Sequence, residues 1–347
     1  MPLLGADQVP KGIGVGVIGL GMGRNMLGIN QDPRSRLQVR AIADTSEDAL
    51  AAAERSHPHE RLATTTDYRE LLDRDDIDVV GIYTPDHLHF RHLSDALGAG
   101  KHVICTKPMV VSLDQAKATV DVVRGSGLKF LVGQTWRFAP RWMAAKKVLD
   151  DGDLGQPLFA EGLYAHDMRA VFDRTSWRYE APQDFVYGGA CHPFDALRWL
   201  FGDVDEVFCY ASASGMDARY PAGKHDNFLI NLKFRNGLIA RVMAVYGLVE
   251  PPLPMNSLAV YGSRGSFVHD RVVFDKVSRQ PEWRLTFRPE TGHSGEVLRY
   301  MRHFEECLLD DREPEVGVVE GAKCIAVCSA AWDSVASGMP AKVFNDF

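Results

Sequence analysis

An apolar run, Gly14-Val15-Gly16-Val17-Ile18, passes directly into Gly19-Leu20-Gly21-Met22-Gly23-Arg24. A buried strand that gives way to glycines and then a helix presents backbone N–H groups at the helix's positive end, where a pyrophosphate binds and a side chain would intrude. Gly19, Gly21, Met22 and Gly23 are thus candidate contacts for a dinucleotide. The spacing departs from G-x-G-x-x-G, because position 24 is arginine and the third glycine comes one residue early at Gly23. The close packing of helix on strand that a third glycine permits is therefore expected to be built differently.

The first half of the chain continues in the same rhythm. Leu37 to Ala43, Asp78 to Tyr83 and Lys101 to Cys105 read as further buried strands, and Ser46 to Arg55, His89 to Ala99 and Leu113 to Arg124 carry helical spacing. Strand alternating with helix implies crossover units, a doubly wound parallel sheet covered on both faces, and ligands beyond the carboxyl ends of the strands. Asp44, at the end of the second strand, suits a carboxylate that bonds the ribose hydroxyls and repels a 2'-phosphate, which predicts NAD over NADP; a helix cap is its structural alternative. After the next strand come Thr84, Pro85, His87 and His89, where a histidine could meet cofactor or substrate. Their i, i+2 spacing without a third ligand argues against a metal. Cys105-Thr106-Lys107-Pro108 ends another strand on a lysine held extended before a proline able to take a cis bond. Lys107 is expected to point into the cleft, with a solvated lysine as the alternative.

Composition narrows the class. With 347 residues, 46% hydrophobic and 24% charged, the chain exceeds one core and divides, on this reading, into residues 1–133 and 134–347. A formal charge of -7 argues against nucleic acid, and no apolar run is long enough to span a bilayer. Met1 to Lys11 carries no secretory pattern, which predicts a cytoplasmic protein. Six scattered cysteines suit buried thiols, including Cys324 and Cys328 on a helix, better than a metal site.

Beyond a helix at Arg141 to Asp151 the pattern turns to alternation. Phe228, Ile230, Leu232 and Phe234 share a face, Asn236-Gly237 turns, and Leu238, Ala240 and Val242 return. Ser257 to Tyr261 and Ser266 to Phe274 flank a second turn, giving an α+β unit with a largely antiparallel open sheet. Its uncovered face predicts a homodimer or homotetramer. Within Gly188-Gly189-Ala190-Cys191-His192-Pro193-Phe194-Asp195, Pro193 suits the first helical position. That would make His192 the N-cap, its protonation opposed by the helix dipole, with Asp195 in the first turn and Phe194, Leu197 and Leu200 facing the core.

Together, the glycine turn, Thr84-Pro85-Asp86-His87-Leu88-His89, Gly100-Lys101-His102-Val103, Lys107-Pro108, Arg137-Phe138-Ala139-Pro140, Gly152-Asp153-Leu154-Gly155, the histidine segment and Val319-Glu320-Gly321-Ala322 resemble the Gfo/Idh/MocA oxidoreductases. The resemblance implies an α/β fold with an amino-terminal Rossmann domain and a carboxy-terminal open-sheet domain that forms the oligomer interface. It implies hydride transfer between NAD, or alternatively NADP, and a carbinol carbon of a sugar, cyclitol or polyol, with Lys107 polarising the oxygen and His192 taking the proton. Pro108 would join the cofactor contacts, and Arg137, His166, Tyr187 and Asp195 are candidate substrate ligands. Two departures stand out. Thr106 replaces the usual glutamate before the lysine, and Gly188 stands where many members carry an aspartate four residues before the histidine. A non-enzymatic dinucleotide sensor, or an enzyme that reduces and reoxidises a tightly held NAD within one cycle, remains an alternative.

Overall fold

A computed structural model of the protein describes residues 12–250, 254–274, 283–284 and 293–347. The segment Met1 to Lys11, read above for targeting, lies outside them. The first sheet contains β1 (Ile13–Ile18), β2 (Leu37–Ala43), β3 (Ala63–Thr65), β4 (Val79–Ile82), β5 (His102–Thr106) and β6 (Phe130–Gly133). All neighbours are parallel and the order is β3-β2-β1-β4-β5-β6, the doubly wound arrangement that the alternating sequence implies. Val15, Val17, Val79, Val80, Val103 and Ile104 are fully buried, as strands covered on both faces require. Strand order reverses between β1 and β4, so the crevice opens where Gly19 follows one strand and Tyr83 the other.

The crossover helices are α1 (Glu47–Ser56), α2 (Tyr68–Leu72), α3 (His89–Gly98) and α4 (Leu113–Ser126), followed by α5 (Pro140–Asp150). Ser46 caps α1 by accepting from Ala49 N at 3.2 Å, so the cap is Ser46 and not Asp44. The segment after the glycine turn, Gly23–Gln31, winds as a 3-10 helix.

Among the described residues the second sheet has nine strands, ordered β14-β13-β12-β11-β7-β10-β9-β8-β15. They are β7 (Pro157–Ala165), β8 (Val204–Ser212), β9 (Asn227–Phe234), β10 (Ile239–Val245), β11 (Asn256–Gly262), β12 (Gly265–Val268), β13 (Arg271–Phe274), β14 (Trp283–Arg284) and β15 (Ala341–Lys342). Every pairing is antiparallel except β7 with β10. The predicted hairpin is β9–β10, with Gly237 at φ 89° in its turn. The span from Ser266 to Phe274 is not one strand: it breaks at His269, with φ 61°, between the two strands of a further hairpin, β12–β13.

Short helices α6 (Arg169–Phe172) and α7 (Trp177–Glu180) precede α8 (Cys191–Phe201), which packs on β7, and the chain closes with α9 (His293–Leu309) and α10 (Val318–Ser337). One face of the sheet is thus covered, and the period-two pattern follows: Phe228, Ile230, Leu232 and Phe234 are buried while Leu229, Asn231 and Lys233 are exposed. The last two helices also return to the first sheet. α9 packs on Gly23–Gln31 and β6, α10 packs on α4, and Tyr83 and Tyr300 bond through their hydroxyls. All six cysteines are free and buried, with Cys324 and Cys328 directing their thiols at the carbonyls of Cys191 and Val186. Among the described residues no helix is long and apolar enough to cross a membrane.

Candidate active site

The glycine turn lies at the carboxyl end of β1. Gly19 has φ 89°, and a Cβ there would strike the Tyr83 backbone at 2.8 Å, so this position admits glycine on two grounds. At Gly21 a Cβ would meet nothing within 4 Å. Space beside an exposed backbone, with Met22 43% exposed next to it, suits a phosphate group approaching the main chain. Gly23 accounts for the irregular spacing: a Cβ there would lie 2.9 Å from Val17 Cγ1 and 3.1 Å from Tyr83. It therefore supplies the close helix-to-strand contact that the pattern assigns to position 24, where Arg24 is exposed.

Asp44 ties this turn to the second strand, accepting from Leu20 N at 2.7 Å and from Ser46 N at 2.9 Å. Both carboxylate oxygens keep a second lone pair, and the residue is half-exposed, so it fits a ribose that offers two hydroxyls. Across the crevice, His89 is fully buried with its ring nitrogens 2.7 Å from Pro108 O and 2.9 Å from Thr84 O. It is a strut that fixes the Thr84-Pro85 and Lys107-Pro108 loops to one another, with both nitrogens occupied by backbone. His87 is exposed, its ring 6.4 Å from that of Trp177.

Lys107 precedes a cis peptide bond to Pro108 and is directed inward, its ammonium donating to Gly188 O at 2.9 Å. Burial holds its pKa below the ordinary lysine value. The receiving carbonyl belongs to a π-helical turn, Val186–Ala190, continuous with α8. This corrects the placement of His192. Ala190 is the helical N-cap residue, Pro193 lies within the first turn and His192 is not a cap. Single π turns are frequent at functional sites because the extra residue re-aims the side chains that follow. His192 is 3% exposed, stacked on Trp136 at 5.6 Å between centroids and 15° between planes, with Tyr164 5.4 Å away.

The turn's glycines are dictated by packing. A Cβ at Gly188 would meet Gln183 Nε2 at 2.4 Å, and one at Gly189 would meet the Tyr246 hydroxyl at 2.0 Å. Where the resemblance leads one to expect an acid, the neutral Gln183 amide fills the space. Gln183 Nε2 donates to Asp86 Oδ2 at 2.8 Å, and Gln183 Oε1 accepts from Arg178.

The expected substrate ligands separate into two groups. His166 lies near the cleft, its ring 6.1 Å from Tyr164 and its pKa lowered by burial. Arg137 and Asp195 are buried against each other instead, joined by two 2.7 Å bonds with Glu320 at 3.2 Å from the same guanidinium. That arrangement engages both Asp195 carboxylate oxygens with Arg137. Tyr187 is buried too, and Cys328, Asp184 and Ser329 surround its hydroxyl, on the α10 side of the turn. Arg169 pairs with Asp167 at the surface. Phe194 and Leu197 are buried as expected and Leu200 only partly. The neighbours of this region that motifs do not reveal are Trp136, Arg178, Gln183 and Tyr246, which carry no spacing signal in the sequence.

A parallel sheet with its glycine turn at the switch point and a lysine after its fifth strand, next to a histidine from a helix packed on the second sheet, defines a dinucleotide-dependent oxidoreductase architecture. The family model for the oxidoreductase family with an NAD-binding Rossmann fold (GFO_IDH_MocA) matches residues 13–134, and that for the GFO/IDH/MocA C-terminal domain matches residues 142–268. The chain belongs to the Gfo/Idh/MocA family of NAD-binding oxidoreductases. An uncharacterized oxidoreductase of Bacillus subtilis, YrbE, is 28% identical over 96% of this chain and 97% of its own. The scyllo-inositol 2-dehydrogenase (NAD(+)) of the same organism is 26% identical over 79% of this chain and 80% of its own. Levoglucosan dehydrogenase in complex with NADH and levoglucosan superposes with a TM-score of 0.86 at 24% identity, covering 95% of this chain and 99% of that one.

Proposed function

We propose that this protein is an NAD-dependent dehydrogenase acting on a carbinol carbon of a sugar, cyclitol or related polyol, with Lys107 and His192 on either side of the reacting oxygen. The observation that carries this reading is the Lys107 ammonium 2.9 Å from Gly188 O, which holds a desolvated cation beside the start of the helix bearing His192. Bound NAD supplies a hydride acceptor. Lys107 stabilises negative charge as it develops on the substrate oxygen, a preorganised electrostatic contribution worth about 3–4 kcal/mol in comparable sites. His192, wedged between Trp136 and Tyr164, receives the hydroxyl proton. The aromatic walls exclude water and strengthen both interactions.

Gly19, Gly21, Met22 and Gly23 hold the pyrophosphate, Asp44 the adenosine ribose, and Thr84, Pro85 and Pro108 line the remaining path. The carboxylate of Asp44 favours NAD over NADP by charge repulsion. A second copy of this chain covers the outer face of the second sheet, where Ile239 is 54% exposed and Tyr210 63% exposed. Screening sugars and cyclitols for NADH formation tests the reaction. Turnover on at least one polyol is expected; tight NADH binding with no turnover on any would instead make the protein a sensor.

A further inference from the structure

The cleft around Lys107 holds an unbalanced set of charges. Lys107 and Arg178 are cations that act on each other, and Asp86, 6% exposed, is the carboxylate felt by both. The Asp86 carboxylate accepts from the neutral Gln183 amide, at 2.8 Å, and not from either cation. Arg178 is bound just as neutrally. Its Nε donates to Thr175 Oγ1 at 3.2 Å, its Nη1 donates to Gln183 Oε1, and its guanidinium lies 4.4 Å from the Trp177 ring centroid. Among the described residues it forms no ion pair. Burial lowers its pKa, so the charge is poorly solvated, and Tyr164 and His166 both sense it.

Arg137 shows what the chain does with a buried guanidinium that serves only the fold: it gives it Asp195 in a bidentate pair and Glu320 besides. Arg178 receives nothing comparable, and the position that could have furnished an acid, Gly188, is packed shut by Gln183. A desolvated cation with no directly bonded carboxylate, sharing one acid with a second cation, is stabilised when the ligand brings the missing charge. The sum of Lys107, Arg178 and Asp86 is one positive charge. A carboxylate balances it, whereas a phosphate monoester carries about -1.5 to -2 and overshoots.

We infer that the substrate is a sugar or polyol bearing a carboxylate, an aldonate or uronate, whose carboxylate is held by Arg178 while its carbinol carbon faces Lys107 and His192. This rests on the dehydrogenase reading above. The reaction is unchanged in kind: the carbinol C–H bond breaks with its electron pair passing to NAD+, the O–H proton passes to His192, and the product is the corresponding keto acid.

The test compares matched substrates with NAD+: D-gluconate, D-glucuronate and D-galacturonate against D-glucose, D-galactose and myo-inositol. The acids are expected to show at least about 10- to 100-fold higher kcat/KM, the range spanned by one charge-assisted contact. Arg178→Gln should raise KM for the acids by a similar factor and leave the neutral sugars within about threefold, and Arg178→Lys should restore part of the loss. Calorimetric titration of the NADH-saturated protein with D-gluconate reads the same difference without turnover. Equal or better use of neutral sugars, or a preference unchanged in Arg178→Gln, overturns this inference and leaves the dehydrogenase reading standing. NADH formation from neither class overturns both. Should the variants fail to fold, the preference of the unaltered protein decides.

Discussion

Two glycine-bearing turns, residues 19–23 and 188–189, hold glycine for opposite reasons. At Gly21 a side chain would find open space, while at Gly188 and Gly189 it would collide with Gln183 and Tyr246. The proposed function puts the cofactor's pyrophosphate in the space beside the first turn. The second is already filled from within, and its rigidity serves to aim His192 and to give Lys107 a fixed carbonyl. On the proposed function the same residue type marks a ligand's place in one turn and a packed joint in the other, and only the surroundings distinguish them.

The packed side should be the more fragile. Arg137→Ala leaves Asp195 buried without its partner and is expected to cost about 3–5 kcal/mol in denaturant unfolding, the usual penalty for breaking a buried pair; a loss below about 1 kcal/mol would mean the joint does not depend on it. Gly189→Val forces Tyr246 from its place and should destabilise by about 1–3 kcal/mol, with turnover falling as His192 shifts. Gly21→Val breaks the comparison if it behaves the same way. It should instead leave stability within about 0.5 kcal/mol while weakening NADH binding, measured by fluorescence titration, at least tenfold. Equal destabilisation by the two valines would show that the turns are not different.

Acid should probe both regions with a smaller effect. His92, behind the Thr84 loop, is held at a pKa of about 4 by burial, and burial also lowers His102, His166 and His303. The unfolded chain therefore binds more protons than the folded one below pH about 6.5, so stability declines as pH falls through that value toward 4. Thermal melts across this window check the sign. On the alkaline side, turnover that depends on charged Lys107 should fall before the ordinary lysine range is reached, because its folded pKa is lowered.

The open side was the easier to read from sequence. A strand, a glycine turn and an acid such as Asp44 are local signals whose chemistry is fixed by a few neighbouring residues, and the parallel sheet followed from alternation alone. Lys107 was placed by its strand end and the following proline. The second domain was legible in its hairpin, β9–β10, where period-two burial is strict, but not at His269, where one residue in the left-handed region turns an apparent strand into two. The cap position that the sequence suggests for His192 is not the one it occupies. A proline looked like a helix start, whereas the π turn before it, held by contacts from Gln183 and Tyr246, makes the helix continuous. Arg137 and Asp195, read as substrate ligands, lie 58 positions apart and meet only in three dimensions, as do Gln183 and Asp86, 97 apart. No spacing in the sequence records such contacts.

The proposed chemistry depends on Lys107 and His192 acting on one substrate oxygen. Lys107→Ala and His192→Ala, assayed for NADH binding by fluorescence and for NADH formation with a polyol the unaltered protein oxidises, test it most directly. Each variant should retain cofactor affinity within a few-fold and lose about 10²- to 10³-fold in kcat. Undiminished turnover in either, with cofactor still bound, would contradict the account.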